Sequence, residues 1–227
     1  KVGLLGCGTV GAALAHLIVE QHDVVARRTG LDLTVEAVVV RDLTVERQVP
    51  VAAEAFSSDP AAVVANPNID VVVEVMGGLE PARQMILDSL AAGQPVITAN
   101  KELLAAHGPE LYAAAESAGV DLLFEAAVAG AIPIMRPLRE SLAGEPVTRV
   151  MGIINGTTNF ILSRMTDDGA SFADALAEAQ DLGYAEADPT ADVEGYDAGA
   201  KVAVIATLAF GARVSSADVH HERITGM

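Results

Sequence analysis

Gly6-Cys7-Gly8-Thr9-Val10-Gly11 is the stretch on which the reading of this chain turns. Just before it, Val2 to Leu5 is a short apolar run closed by glycine, the pattern of a buried strand. Just after it, Val10, Leu14, Leu17, Ile18 and Val25 recur at helical spacing, so Val10 to Arg28 reads as one helix with Gly30 as its C-cap. A Gly-x-Gly-x-x-Gly run set between a strand and a helix has a mechanical meaning. Gly6 permits a tight turn, Gly8 lets the backbone approach a pyrophosphate, and Gly11 lets the helix lie close to the strand. Thr9 and Val10 stand at the helix N-terminus, whose unpaired N–H groups face the phosphates. The loop predicts a dinucleotide site; a tight turn with no ligand is the plainer alternative.

Working outward, Leu33 to Val40 is a β-branched run and reads as a second strand. Ser58-Asp59-Pro60 has the form of a helix start, with a capping side chain and proline at the first position. Val71 to Val75 is a third strand, closed by Gly77-Gly78. Glu80 to Ala92 is a helix ended by Gly93, and Pro95 to Thr98 the next strand. Lys101 to Ala106 and Pro109 to Ala118 are helical, and Val120 to Glu125 is another strand. This alternation predicts an α/β fold, a doubly wound parallel sheet of Rossmann type. Gly77 and Thr98, at the ends of two of its strands, then border the crevice where a cofactor lies.

Past Glu125 the rhythm changes. Ile132 to Leu142 reads as a helix, Val147 to Ile154 as a strand, Thr158 to Thr166 and Phe172 to Leu182 as helices. A long apolar helix runs from about Glu194 to Phe210. We expect a dinucleotide-binding domain over residues 1–130 and an α+β substrate-binding, catalytic and dimerisation region over 131–227. The chain stops at Ile224-Thr225-Gly226-Met227 without a closing element, which reads as a fragment.

Composition narrows the function classes. Half the residues (51%) are apolar, enough for a proper core. A net charge of −17 opposes nucleic-acid binding, which needs a basic footprint. It also means that a phosphate site must be built locally, from backbone N–H groups and a few cations. The single cysteine, Cys7, excludes a disulfide framework and a structural zinc site, and a reducing, cytoplasmic setting follows by default. No membrane span and no signal peptide are read. Lysine is scarce: besides Lys1 there are only Lys101 and Lys201.

Several residues stand out chemically. The second strand ends in Arg41-Asp42. Arg41 suits a ribose 2′-phosphate and favours NADP, while Asp42 keeps NAD open. Lys101 follows Asn100 just past a strand end, placed to hold a carboxylate or donate a proton. Glu125-Ala126-Ala127-Val128-Ala129-Gly130-Ala131-Ile132-Pro133 offers one carboxylate and a run of carbonyls, donors that suit a hard cation, although by itself it reads first as a solvated turn. Asn155-Gly156-Thr157-Thr158-Asn159 opens a helix, with Thr157 or Thr158 as cap, or forms a substrate loop. Glu186, Asp188, Asp192, Glu194 and Asp197 crowd one region, and Asp197 and Lys201 share a helix face at i, i+4. The residues around that pair are apolar or small on every side, so the helix is buried. A buried charge is costly unless paired or used, and a lysine held by a carboxylate is a candidate general acid.

These motifs, in this order, resemble the homoserine dehydrogenase family. The match runs from the glycine loop through Thr98-Ala99-Asn100-Lys101, Glu125 to Pro133 and Asn155 to Asn159. It ends with Gly183-Tyr184-Ala185-Glu186-Ala187-Asp188-Pro189, leading to Asp192-Val193-Glu194-Gly195-Tyr196-Asp197 and Lys201. The glycine loop is common to many dehydrogenases; the last stretch is specific. The resemblance implies NAD(P)-dependent interconversion of L-aspartate 4-semialdehyde and L-homoserine, on the way to threonine and methionine. It implies Lys201 as proton donor to the aldehyde oxygen and Lys101 as a second lysine on cofactor or substrate. Glu186 and Asp197 would bind the substrate's amino and hydroxyl ends, with Asp192 beside them, and Gly183 would line the cofactor side. Glu125 with the carbonyls of Val128, Gly130 and Ile132 would hold sodium. Family members are homodimers whose chain continues past the point matching residue 227. From the residues alone the choice of proton donor stays open; Lys201 is preferred because Asp197 can orient it. Two rivals remain: another amino-acid dehydrogenase, and a non-catalytic module that senses NAD(P).

Overall fold

Four consecutive apolar residues, Val2–Leu5, form strand β1, and all four are buried. Successive strand residues point to opposite faces, so β1 is covered on both sides, as a central parallel strand must be. The computed structural model describes every residue, Lys1–Met227. Its contacts divide the chain into two compact units: Lys1–Leu103 with Pro109–Ala127, and Leu104–Gly108 with Val128–Met227.

The first unit is built on six parallel strands. Beside β1 lie β2 (Val35–Val39), β3 (Phe56–Ser57), β4 (Val71–Glu74), β5 (Val96–Thr98) and β6 (Leu122–Leu123), in the order β3-β2-β1-β4-β5-β6. Every pairing is parallel, so the expected doubly wound α/β sheet is what the chain forms. The strand order reverses between β1 and β4, the switch point where open α/β sheets bind ligands. The register there sets Leu5, Glu74 and Thr98 side by side at the strand ends.

The helices of this unit differ from expectation at two points. The predicted single helix from Val10 to Arg28 is two, α1 (Thr9–Glu20) and α2 (His22–Thr29), broken at Gln21. The second piece buries no residue, so nothing in the core holds it in line with the first. Its first residue, His22, instead pairs with Asp32 at 2.7 Å. Conversely, α3 (Ala82–Ala91) is followed by one continuous helix, α4 (Lys101–Ala118), where two were expected. Proline inside a helix costs about 3 kcal/mol. Leu103 and Leu111, on either side of Pro109, are fully buried, and each contributes about 1.5–3 kcal/mol by burial, enough to offset the proline.

The second unit is helical: α5 (Gly156–Asp167), α6 (Phe172–Asp181), the short α7 (Thr190–Val193) and α8 (Tyr196–Phe210). Ile161, Ala175, Ala179, Val193 and Ile224 close its core. The helix expected over Ile132 to Leu142 is reduced to a π-helical turn at Pro137–Ser141, closed by the Leu142 amide on the Pro137 carbonyl. The strand expected over Val147 to Ile154 is absent. The run is rich in β-branched residues, but no partner strand lies in this unit, and an unpaired strand has no ladder to hold it. Met151 and Ile153 are 75% and 77% exposed along it.

The tightest constraint is at Gly11, where an added Cβ would lie 2.3 Å from the Gly6 carbonyl oxygen. Gly11→Ala is expected to destabilise the protein by about 1–3 kcal/mol, as overpacking does, and to weaken dinucleotide binding. Urea denaturation with a parallel cofactor titration checks both.

Candidate active site

The glycine loop and the ends of β2 and β4 enclose a cleft of about 810 Å³ in the first unit. Gly6 turns the chain with φ 99°, and at Gly8 an added Cβ would meet nothing within 4 Å, so the backbone there is open to a ligand. Arg41 lines the cleft, and so does Arg47. The Arg47 guanidinium donates to the carbonyls of Cys7, Asp42 and Val45, which folds the segment after β2 against the glycine loop. Asp42 is otherwise engaged. Its carboxylate accepts from the Thr44 hydroxyl at 2.7 Å and the Thr44 amide at 2.8 Å, and these bonds hold its carboxyl below the usual range. His16 of α1 steadies the same segment, with Nε2 2.9 Å from the Gln48 carbonyl and Nδ1 3.0 Å from Glu20. The Cys7 thiol is pushed up by burial, so it is not an activated nucleophile.

At the end of β4, Glu74 is completely buried. Its Oε1 accepts from the amides of Met76 and Gly77, and Oε2 accepts from the Thr98 hydroxyl at 2.6 Å. Asn100 caps α4 by accepting from the Leu103 amide, and Lys101 is the first residue of that helix.

The second unit has its own cavity, about 520 Å³, lined by Asn155, Thr157, Tyr184, Asp192, Asp197 and Lys201 among others. Asn155 organises it. Its Oδ1 caps α5 by accepting from the Thr158 amide, and its Nδ2 donates to Asp192 at 2.6 Å and to Asp197 at 2.8 Å. Lys201 donates to Asp197 at 2.6 Å and to the Ile154 carbonyl at 2.8 Å. Asp197 is 9% exposed and the Lys201 side chain 18%. A buried ion pair is tolerated when hydrogen bonds satisfy its remaining atoms, and Asn155 and Ile154 supply them.

The family model for the homoserine dehydrogenase NAD-binding domain matches residues 6–125, and the homoserine dehydrogenase model matches residues 133–227. The chain belongs to the homoserine dehydrogenase family. It is 53% identical to homoserine dehydrogenase of Corynebacterium glutamicum over 226 residues, covering 100% of this chain and 51% of that protein. A solved homoserine dehydrogenase from Thiobacillus denitrificans superposes with a TM-score of 0.89 at 46% identity, covering 100% of this chain and 52% of the other. A hyperthermophilic archaeal homoserine dehydrogenase solved in complex with NADPH does so with a TM-score of 0.79 at 28% identity, over 98% of this chain and 75% of the other. The chain thus spans about half the length of the curated relatives it matches.

Within this chain, the residues singled out by sequence fall into distinct places. Gly6, Gly8, Thr9, Arg41 and Gly77 line the cleft. Gly11 lies beneath the loop as a packing residue, and Val10 is an exposed residue of α1 outside the lining. Thr98 is fully buried, and its hydroxyl is spent on Glu74 and the Asn100 amide rather than open to the cleft. Asp192, Asp197 and Lys201 come together in the lining of one cavity. Glu186 is exposed and outside the lining, on the loop that carries Tyr184. Gly183 follows the end of α6 with φ 75°, a helix-terminating conformation. Glu125 begins a short 3₁₀ turn, and Ala129 after it has φ 55°, so the backbone reverses where the carbonyl run lies.

Sequence reasoning missed Arg47, Glu74 and Asn155. A charge inside Val71-Val72-Val73-Glu74-Val75 was the available signal for Glu74. Arg47 carried none, since its partners are backbone carbonyls, which every residue presents. Asn155 was visible only as part of a helix start, where Thr157 and Thr158 were the expected caps. Thr157 instead donates to the Tyr184 carbonyl.

Two outcomes follow from these contacts. Asn155→Ala removes a cap and strands two carboxylates, so a loss of about 1–3 kcal/mol in urea denaturation is expected. His16 has a raised pKa, first from the Gln48 carbonyl and then from Glu20. A raised histidine stabilises the folded loop fully below the unfolded value, about 6.5, and the effect fades as pH rises through the folded value. Amide exchange in residues 44–49, corrected for intrinsic rates, should therefore become less protected above that pH, and His16→Ala should abolish the change.

Proposed function

We propose that the protein acts as an NAD(P)-dependent homoserine dehydrogenase, interconverting L-homoserine and L-aspartate 4-semialdehyde in threonine and methionine synthesis. The observation that carries this reading is the setting of Lys201. Two of its three ammonium protons are held by Asp197 and the Ile154 carbonyl, which leaves one N–H for an oxygen in the cavity it lines. When bound, the nicotinamide supplies the hydride. In the reducing direction Lys201 delivers a proton to the carbonyl oxygen, and in the oxidising direction its amine takes the hydroxyl proton. Asp197 and Ile154 keep the Lys201 nitrogen aimed. Asp192 and Glu186 are assigned to the substrate ammonium, with Asp197 also facing the hydroxyl end. Lys101 is assigned to cofactor or substrate. A non-catalytic sensor would have no use for this lysine cavity.

NADP is the preferred cofactor in this reading. Arg41 brings a guanidinium to the cleft, suited to bidentate contact with a 2′-phosphate, and Arg47, whose Nε and Nη1 hold backbone carbonyls, adds positive charge beside it. The Asp42 carboxylate, which would serve a free 2′-hydroxyl, is turned to Thr44. The archaeal relative solved with NADPH supports the same choice. Glu125 with the carbonyls of Val128, Gly130 and Ile132 is proposed to hold sodium, on the chemistry of its donors; activity titrated with sodium against a choline control tests it. Assembly as a homodimer is proposed as well, supported by the exposed apolar residues Met151 and Ile153; light scattering of the full-length protein tests it. Setting in the cytoplasm is likewise proposed; no helix is long and apolar enough to cross a membrane.

The activity is tested with the full-length protein by following nicotinamide reduction with L-homoserine. No turnover with either cofactor would falsify it. Lys201→Ala should lower kcat by about 10²–10⁴-fold, the usual contribution of a positioned proton donor. Arg41→Ala should raise KM for NADP at least about 10-fold, the loss of one charge-assisted contact, with little change for NAD; equal losses for both cofactors would refute the 2′-phosphate contact.

A further inference from the structure

Glu74 is the one acidic side chain of this protein with no exposure at all, and it stands in a strand whose other residues are valines. Burying a carboxyl in place of another valine costs several kcal/mol unless hydrogen bonds compensate. Packing alone therefore gives no reason for an acid here. The reason lies in what it joins. Oε1 accepts the Met76 amide at 2.8 Å and the Gly77 amide at 3.2 Å. This fixes a turn in which Gly77 and Gly78 both adopt positive φ, 74° and 72°. Met76 and Gly77 line the dinucleotide cleft.

The second oxygen reaches the neighbouring strand. Oε2 accepts from the Thr98 hydroxyl, and Thr98 Oγ accepts from the Asn100 amide at 3.0 Å. Asn100 Nδ2 then donates to the Gly78 carbonyl at 2.7 Å, back on the turn where the path began. The circuit is closed: Glu74, Thr98, Asn100, Gly78 and the turn to Met76. Asn100 also caps α4, and Lys101 is the next residue. The cofactor turn and the start of the Lys101 helix are thus tied to one buried carboxyl.

We propose that Glu74 is a positioning residue, acting through Thr98 and Asn100 to hold the Met76–Gly78 turn and Lys101 in register with each other. It is not a catalytic residue, because it does not line the cleft. The inference rests on the proposed roles of the cleft and of Lys101. Its value to the reaction is preorganisation: groups held in place before substrate arrives need no ordering at the transition state.

The test uses the full-length enzyme and separates the two arms. Thr98→Val keeps the Met76 and Gly77 contacts and cuts the link to Asn100. It should lower kcat about 10-fold or more while changing the NADPH dissociation constant, read by cofactor fluorescence, less than about 3-fold; Thr98→Ser should restore kcat. Glu74→Gln should raise that dissociation constant about 10-fold as well as lowering kcat. A merely structural role would lower the melting temperature of both variants and leave kcat and affinity unchanged well below it, which overturns the proposal. Equal kcat for Thr98→Val and Thr98→Ser also overturns it, even if Glu74→Gln does not fold. The readouts distinguish this inference from the proposed activity. Wild-type protein that binds NADPH without oxidising homoserine defeats the activity, whereas Glu74→Gln binding NADPH like wild type in an active enzyme defeats only the positioning role.

Discussion

The contact between Gly11 and the Gly6 carbonyl sets the geometry on which the first unit depends. Three residues separate β1 from α1, and a Cβ at Gly11 would lie 2.3 Å from the Gly6 carbonyl oxygen, far inside van der Waals contact. Only with hydrogen there does the helix begin directly over the end of the central strand. That closeness aims the helix N-terminus, with its unpaired amides, at the point where the strand order reverses. A chain carrying 31 acidic residues and 14 basic ones would otherwise repel a phosphate. The helix-end amides and two arginines after β2 are the local positive groups at the cleft.

Polar groups in this protein are buried where they organise something. Glu74 gathers two strand ends and a turn in the first unit. Asn155 gathers two carboxylates and a helix start in the second. Each is satisfied by donors or acceptors from separate segments, which is what makes burial tolerable. Asn155 stands one residue from Lys201, through Asp197, whereas Glu74 reaches the start of the Lys101 helix only through Thr98 and Asn100. Only Lys201 is held directly, by Asp197 and the Ile154 carbonyl; Lys101 follows the capping Asn100 in the chain.

The strand-and-helix alternation, the glycine loop and the Asp197–Lys201 pair were all legible in the chain, because each rests on local periodicity or on spacing along one element. Arg41 was legible for the same reason, as the residue at the end of a recognisable strand. Membership of the homoserine dehydrogenase family was also legible, since its motifs keep their order. Where expectation and structure part, the cause is packing at a distance. Pro109 stays inside α4 because buried leucines on both sides outweigh it. The Val147 to Ile154 run does not pair because pairing needs a second strand.

What the sequence by itself determined is therefore the order of elements, the dinucleotide loop and the identity of the charged groups, properties carried by residues near one another in the chain. Only the tertiary structure decided which partners those groups have. Thr98 turned from a cleft residue into a link to Glu74, Asp42 turned to Thr44, and Asn155 replaced the threonines as cap and joined two carboxylates. The bonds from Thr98 to Glu74 and from Asn155 to Asp197 cross 24 and 42 residues of chain and have no periodic signature, so the loop that opened the reading located a cofactor site while the partners of its buried neighbours waited on the fold.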